Sequence, residues 1–254
     1  MIGRAQDAFL DWVWGWTWPQ AGGWLLAENV ALFVASLLIG HVLVRAFARR
    51  PVTDPPRPLE WQEPALAAGA VLANTVITLL GWWLWKAGWI VVRRDLGPRA
   101  WLDALVLLVV MDVLMYVLHR AAHLPWVYPW LHAAHHRYDC PRPLNLFVLS
   151  PLEVFGFGAL WLVVLLCYHA SFLGMGLYLS LNLAFGTLGH LGVEPFPAAW
   201  SRWPVLRSLG SSTFHAGHHQ DGRINFGFYT NVWDRLFHSL TPHPAPGDAE
   251  PERH

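Results

Sequence analysis

Five stretches of mostly apolar residues, at 24–47, 65–85, 101–118, 152–168 and 171–189, limit what this 254-residue chain can fold into more than any other feature. A helix needs ~20 residues to cross a hydrocarbon core of ~30 Å, and these segments are that long or nearly so. In lipid every backbone N–H and C=O must be satisfied internally, which leaves helices and closed barrels as the spanning structures. Long apolar runs without strand-like alternation favour helices. A content of 55% hydrophobic and 13% charged residues is too apolar for an average soluble domain. The expected fold is an all-α integral membrane protein of about four to five transmembrane helices with a cytoplasmic, histidine-rich helical cap.

The links between the stretches divide the chain. Residues 1–23 carry Arg4, Asp7 and Asp11 and then Trp12, Trp14, Trp16 and Trp18, a pattern expected of an interfacial aromatic segment and not of a cleaved leader. Trp82, Trp83, Trp85 and Trp89 read the same way. Residues 51–64 are proline-rich, with Pro55, Pro56 and Pro58 preventing helix. Residues 1–64 therefore form an amino-terminal unit with the first span and its connector. Residues 65–240 form the main membrane unit, and 241–254 a disordered tail. The last two apolar stretches are joined so tightly around His169, Ala170 and Ser171 that they must form a helical hairpin or a re-entrant pair. Five alternating spans put residues 119–150, 190–254 and the 48–64 connector on one side. That side carries 12 of the 17 basic residues, which the positive-inside rule makes cytoplasmic. Lys86, Arg93, Arg94 and Arg99 fall on the other side, and 89–99 is a candidate interfacial helix.

A formal net charge of zero gives no reason to expect a nucleic-acid partner. Cys140 and Cys167 are the only cysteines, unrelated in spacing to each other or to the histidines, and suggest neither a disulfide framework nor a thiolate metal site. The unusual number is 14 histidines. Eight of them fall in three pentapeptides, His119-Arg-Ala-Ala-His123, His132-Ala-Ala-His135-His136 and His215-Ala-Gly-His218-His219. Spacings of i, i+3 and i, i+4 put imidazoles on one helix face ~5–6 Å apart at Cβ, so each box can clamp one ion or two neighbouring ions. Eight or nine such ligands exceed what a single ion accepts, which implies two metals. Imidazole donors alone leave iron, zinc, copper and nickel open. A zinc hydrolase would be expected to carry a glutamate inside its HExxH motif, where this chain has Arg120 or Ala133. A metal transporter would place its ligands at mid-bilayer, and these lie just beyond the ends of the apolar stretches.

The surrounding residues resemble one family in particular. Asp112, Tyr116 and the HRxxH box, then HxxHH, then a hairpin and a final HxxHH followed by Asn225-Phe226-Gly227 and Trp233-Asp234-Arg235-Leu236-Phe237, are similar to the fatty acid hydroxylase superfamily, also called the sterol desaturase family. The resemblance covers roughly residues 65–240. It implies His190 as a ninth ligand. Some family members have a further histidine where this chain has Gly186, which implies an open or water-filled position on one metal. The metal ligands are then His119, His123, His132, His135, His136, His190, His215, His218 and His219. His41 is expected to be packed or pore-facing, and His169, His238, His243 and His254 are expected not to be ligands. The resemblance implies two iron ions, with zinc able to replace them in purified protein, and O2 as co-substrate. It also implies a membrane lipid substrate and hydroxylation, with desaturation as the alternative on the same site. With no flavin, haem-domain or dinucleotide signature in the sequence, electrons are expected from an external electron-transfer protein. The composition fits a bacterial inner membrane. Since ligating histidines usually donate their second N–H to an acceptor, Asp112, Asn145, Glu153, Glu194, Asp221, Asn225 and Asp234 are candidates to support them.

Overall fold

The computed structural model describes residues 2–241. The expected disordered tail, with His243 and His254, lies outside them. Helix α1 spans Ile2–Trp14 and α2 Trp18–Ala46. The Trp-rich segment is thus one short helix that turns directly into the first span. That span starts six residues earlier than its apolar run, because Pro19 sits in its first turn and the Thr17 N–H donates to Gln20 Oε1. Helices α3 (Gln62–Lys86) and α4 (Pro98–Ala122) follow, then two single turns, α5 (Tyr128–Leu131) and α6 (Ala133–His136). After α7 (Pro151–Cys167) and α8 (Phe172–Gly189) come α9 (Ser212–Gln220) and α10 (Val232–Leu236). Among the described residues there is no strand, only three isolated bridges.

Four helices, α2, α3, α4 and α8, are long and apolar enough to cross a membrane. The expected fifth, α7, has 17 residues and so reaches only about 25 Å at 1.5 Å per residue. It pairs with α8 in the expected hairpin, with 168–171 as the turn. Ser150 and Ser171 cap these two helices, each hydroxyl accepting a backbone N–H three residues on. Residues 89–97 are not an interfacial helix. Arg93 instead exchanges backbone hydrogen bonds with Ala170 and Phe172 and forms an ion pair with the buried Asp103 at 2.6 Å. Asp103 also accepts from the Tyr168 hydroxyl and the Ser171 N–H, so one carboxylate ties α4 to the hairpin turn. Helices α4 and α8 approach so closely there that a Cβ on Gly174 would lie 2.6 Å from Asp103 Cβ.

Not all tryptophans form a belt. Trp16 and Trp82 are buried with Ala21, because α1 folds back over the ends of α2 and α3, and the Lys86 ammonium lies 5.0 Å over the Trp82 ring. His41 is neither packed nor facing a pore. It is exposed on α2, bonded to the Leu37 carbonyl of its own helix. Helix α2 still supports the rest, through Ser36 Oγ to Thr187 Oγ1 at 2.8 Å on α8.

Candidate metal centre

The histidines meet where α4 and α8 end and α7 begins. His119 is in the last turn of α4 and His123 caps it. His132 precedes α6, which carries His135 and His136. His190 caps α8, and α9 carries His215, His218 and His219. Two groups result: His119, His123, His132, His136 and His218 in one, and His135, His190, His215 and His219 in the other. Within each group the ligand nitrogens all lie within 4.8 Å of one another. All nine expected ligands are therefore brought together, while His41, His169 and His238 are in neither group.

The division follows helical geometry. Each i, i+4 pair, His119/His123, His132/His136 and His215/His219, stays within one group. Neighbours His135/His136 and His218/His219 separate, because successive residues point about 100° apart around a helix. The final HH of the second and third boxes thus serves both groups.

The tautomers show what the groups are built to hold. His119 Nδ1–H donates to the Phe226 carbonyl at 2.8 Å and His132 Nδ1–H to Glu153 Oε1 at 2.7 Å. Their Nε2 atoms then face each other at 3.0 Å as two lone pairs. In the other group His135 Nδ1–H donates to the Val148 carbonyl and His190 Nδ1–H to the Gly186 carbonyl, and again the two Nε2 atoms meet, at 3.3 Å. His218 Nδ1–H donates to the Ile224 carbonyl, turning its Nε2 toward those of His123 and His136 at 3.1 and 3.0 Å. Lone pairs this close repel unless a cation sits among them, so the donor set fits a first-row metal in each group. Burial pushes the pKa of His190 to about 4. For His123 and His136, burial followed by repulsion from neighbouring histidines lowers it to about 3 and about 2. His132, His135, His215, His218 and His219 are also held well below their ordinary range, burial first. All eight are neutral at pH 7, the form that binds metal.

Of the seven supporting candidates, only Glu153 touches a histidine. The others find backbone or side-chain donors closer to hand. Asp234 accepts the N–H groups of Phe226 and Gly227, each at 2.8 Å, and the Ser239 hydroxyl. Asn225 adopts φ +57 and is bonded to Phe214 and Thr241. Asp112 accepts from Thr230 and Trp233, fastening α4 to the same loop, and Arg120 donates to the Tyr116 hydroxyl. Residues 224–227 are thus held so that two of their carbonyls orient His119 and His218. Glu194 holds Thr213 in the first turn of α9. Asn145 bonds to Glu63, and Asp221 pairs with Arg223 at the surface. The carbonyl acceptors at Val148, Gly186, Ile224 and Phe226 escape sequence reading, since every residue has a carbonyl. The one legible trace is the Asn-Phe-Gly run: Asn225 takes the left-handed turn, and a Cβ on Gly227 would collide with the Thr230 carbonyl.

The family model described as fatty acid hydroxylase matches residues 104–239, from the first third of α4 through the last histidine box and α10. The chain belongs to this family. It is similar to a very-long-chain aldehyde decarbonylase of Oryza sativa subsp. indica, 32% identical over 131 residues, covering 49% of this chain and 21% of the relative. A C-4 methylsterol oxidase of Schizosaccharomyces pombe is 30% identical over 130 residues, 49% of this chain and 42% of the relative. The Delta(7)-sterol 5(6)-desaturase of Leptosphaeria maculans is 24% identical over 143 residues, 55% and 38%. The chain thus spans less than half the length of these relatives. No solved structure matches it. Its apolar helices and its family make it an integral membrane protein.

Proposed function

We propose that the chain is a membrane-bound di-iron oxygenase that hydroxylates a lipid, a fatty acyl chain, sterol or related molecule, using O2 and electrons from an external protein. The observation that carries this is the pair of cages, one wholly and one mostly buried, in which imidazole lone pairs face one another. His119, His123, His132, His136 and His218 would hold one ion, and His135, His190, His215 and His219 the other. Bound iron supplies the redox chemistry that activates oxygen. The chain supplies orientation: Glu153 and four backbone carbonyls fix the ring planes and keep the metal-facing nitrogens free of protons. Placement of mostly buried cages among the ends of α4, α7 and α8 limits access of bulk water and suits a substrate arriving sideways from the bilayer. The same placement argues against a transporter, whose sites sit at mid-bilayer. Residues 65–240 would form the catalytic unit, with the first span as its support. The excess of arginine on the histidine side supports a cytoplasm-facing site, as in a bacterial inner membrane.

Desaturation is the second reading, favoured by the similarity to a sterol desaturase. Mass spectrometry of lipid extracts from cells with and without the gene separates them. Hydroxylation adds one oxygen to a lipid, and desaturation removes two hydrogens. Unchanged lipids, in cells where the protein is made and metal-loaded, would overturn both.

A further inference from the structure

One link on the histidine side carries no charge. Residues 124–131, Leu-Pro-Trp-Val-Tyr-Pro-Trp-Leu, join the first two boxes without a charged residue. The links after the other boxes are charged, Arg137-Tyr-Asp-Cys-Pro-Arg142 after the second and Asp221-Gly-Arg223 after the third. Trp126 and Trp130 are four residues apart on a helical turn, so they share a face, and each is 75% exposed. Tryptophan of this kind is enriched where membrane meets water. Both neighbours hold the turn at that level. Helix α4 exposes Trp101 in its first turn, and the ~20 residues that cross a hydrocarbon core then end at Ala121. On the other flank the Ser150 hydroxyl donates to the Leu131 carbonyl at 2.6 Å, tying the turn to the start of α7, where Leu152 and Phe155 are exposed. The exposed apolar surface of the spanning helix α4, Val117 included, thus continues through Leu124, Trp126 and Trp130 to α7.

The opposite face of the turn meets the metal centre. Tyr128 lies midway between the two tryptophans in sequence and so about 200° away around the helix. Its ring centroid is 5.5 Å from that of His123, 6.1 Å from His136 and 6.5 Å from His132, all in the five-histidine group. One turn of helix, about 10–12 Å across with its side chains, therefore stands between the exposed indoles and these rings. We infer that residues 124–131 lie in the boundary between headgroups and acyl chains, with Trp126 and Trp130 in lipid, and that Tyr128 is the wall between acyl chains and the five-histidine group. This names the side from which lipid meets the centre, and it rests on the lipid-oxidising reading above.

Spin labels at Trp126→Cys and Trp130→Cys test the depth, in the whole chain carrying Cys140→Ser and Cys167→Ser and reconstituted in phosphatidylcholine–phosphatidylglycerol vesicles. Oxygen concentrates in lipid and a nickel chelate in water, so the ratio of their relaxation effects reports where a label sits. At both sites the ratio should match that at Val117→Cys on α4 within about twofold, and exceed that at the exposed Arg223→Cys by about threefold or more. A ratio like that of Arg223→Cys would put the turn in water and overturn the inference. Labels shielded from both relaxants would mean that protein, such as a second copy, covers the tryptophans, and would overturn it too. A phospholipid with a photoactivatable acyl chain tests the wall. In wild type its adducts should fall on Trp126 and Trp130, and in Tyr128→Ala they should extend to His123 or His136 while the metal content stays that of wild type. Adducts that stop at the tryptophans would remove Tyr128 as the wall, and Tyr128→Leu stands in if Tyr128→Ala does not fold. None of these results depends on turnover, so wild type that fails to oxidise lipid would sink the lipid-oxidising reading separately.

Discussion

Replacing Glu153 with glutamine isolates the electrostatic support of one group. Glu153 is the one carboxylate among the described residues that is hydrogen-bonded to any of the nine histidines, through His132 at 2.7 Å, and both residues are 2% exposed. His132 belongs to the five-histidine group alone. Glutamine keeps the size and an acceptor oxygen but removes the negative charge. Losing a ligand's outer partner costs about 10–100-fold in metal affinity, or about 1.4–2.8 kcal/mol. In a chelator series read by metal analysis, one ion per chain should leave Glu153→Gln at about 10–100-fold lower chelator than in wild type. The second should leave as it does from wild type. Superimposable release curves would refute the reasoning, and joint loss of both ions would refute the assignment of His132 to a single group.

Three further outcomes follow from the packing. Asp234→Ala frees the buried N–H groups of Phe226 and Gly227, at about 1–3 kcal/mol each, and should loosen the same five-histidine ion because that loop orients His119 and His218; selective loss from the four-histidine group would contradict this. Asp103→Ala leaves the half-buried Arg93 with Asp95 alone and strips the buried Ser171 N–H of its acceptor, and about 1–3 kcal/mol of stability should be lost in thermal melts. Metal content at low temperature should not change, since this clamp lies at the far end of the 18-residue α8, about 27 Å from His190. For metal-free protein the histidine pKa values are depressed below the ordinary 6.5, so the unfolded chain takes up protons below that pH which the folded chain refuses. Stability should therefore be level above pH 7 and fall as pH drops below about 6.5. Melting points that stay constant from pH 7 to 5 would contradict the burial of neutral imidazoles.

Much of this was readable in the sequence for reasons of period and length. Apolar runs located the spans, and the tight join around His169, Ala170 and Ser171 required the hairpin. The box spacing showed that each box could clamp one ion or two, and the structure adds that the i, i+4 pairs stay together while the i, i+3 pairs part. What sequence could not supply was partner identity. A carboxylate near a histidine box is as useful to a backbone N–H as to an imidazole, and Asp112, Glu194 and Asp234 bind loops for that reason. Conversely, most ring orientation comes from carbonyls, which carry no residue label. The 89–99 segment was misread because its charges suggested an interfacial helix, when Arg93 was meeting a buried aspartate and α4 already begins at Pro98. Trp16 and Trp82 were misread because an aromatic that lines a fold-back has the same composition as one that lines a membrane surface.

The central claim is that two separate cages each hold an ion. Metal analysis of purified wild type, His135→Ala, His218→Ala and His238→Ala tests it most directly. His135 belongs to the four-histidine group, His218 to the five-histidine group and His238 to neither. Wild type and His238→Ala should carry two irons per chain. The other two should each carry about one, from different groups, and should lose lipid oxidation. Two ions retained in both His135→Ala and His218→Ala, or one ion per chain in wild type, would contradict it.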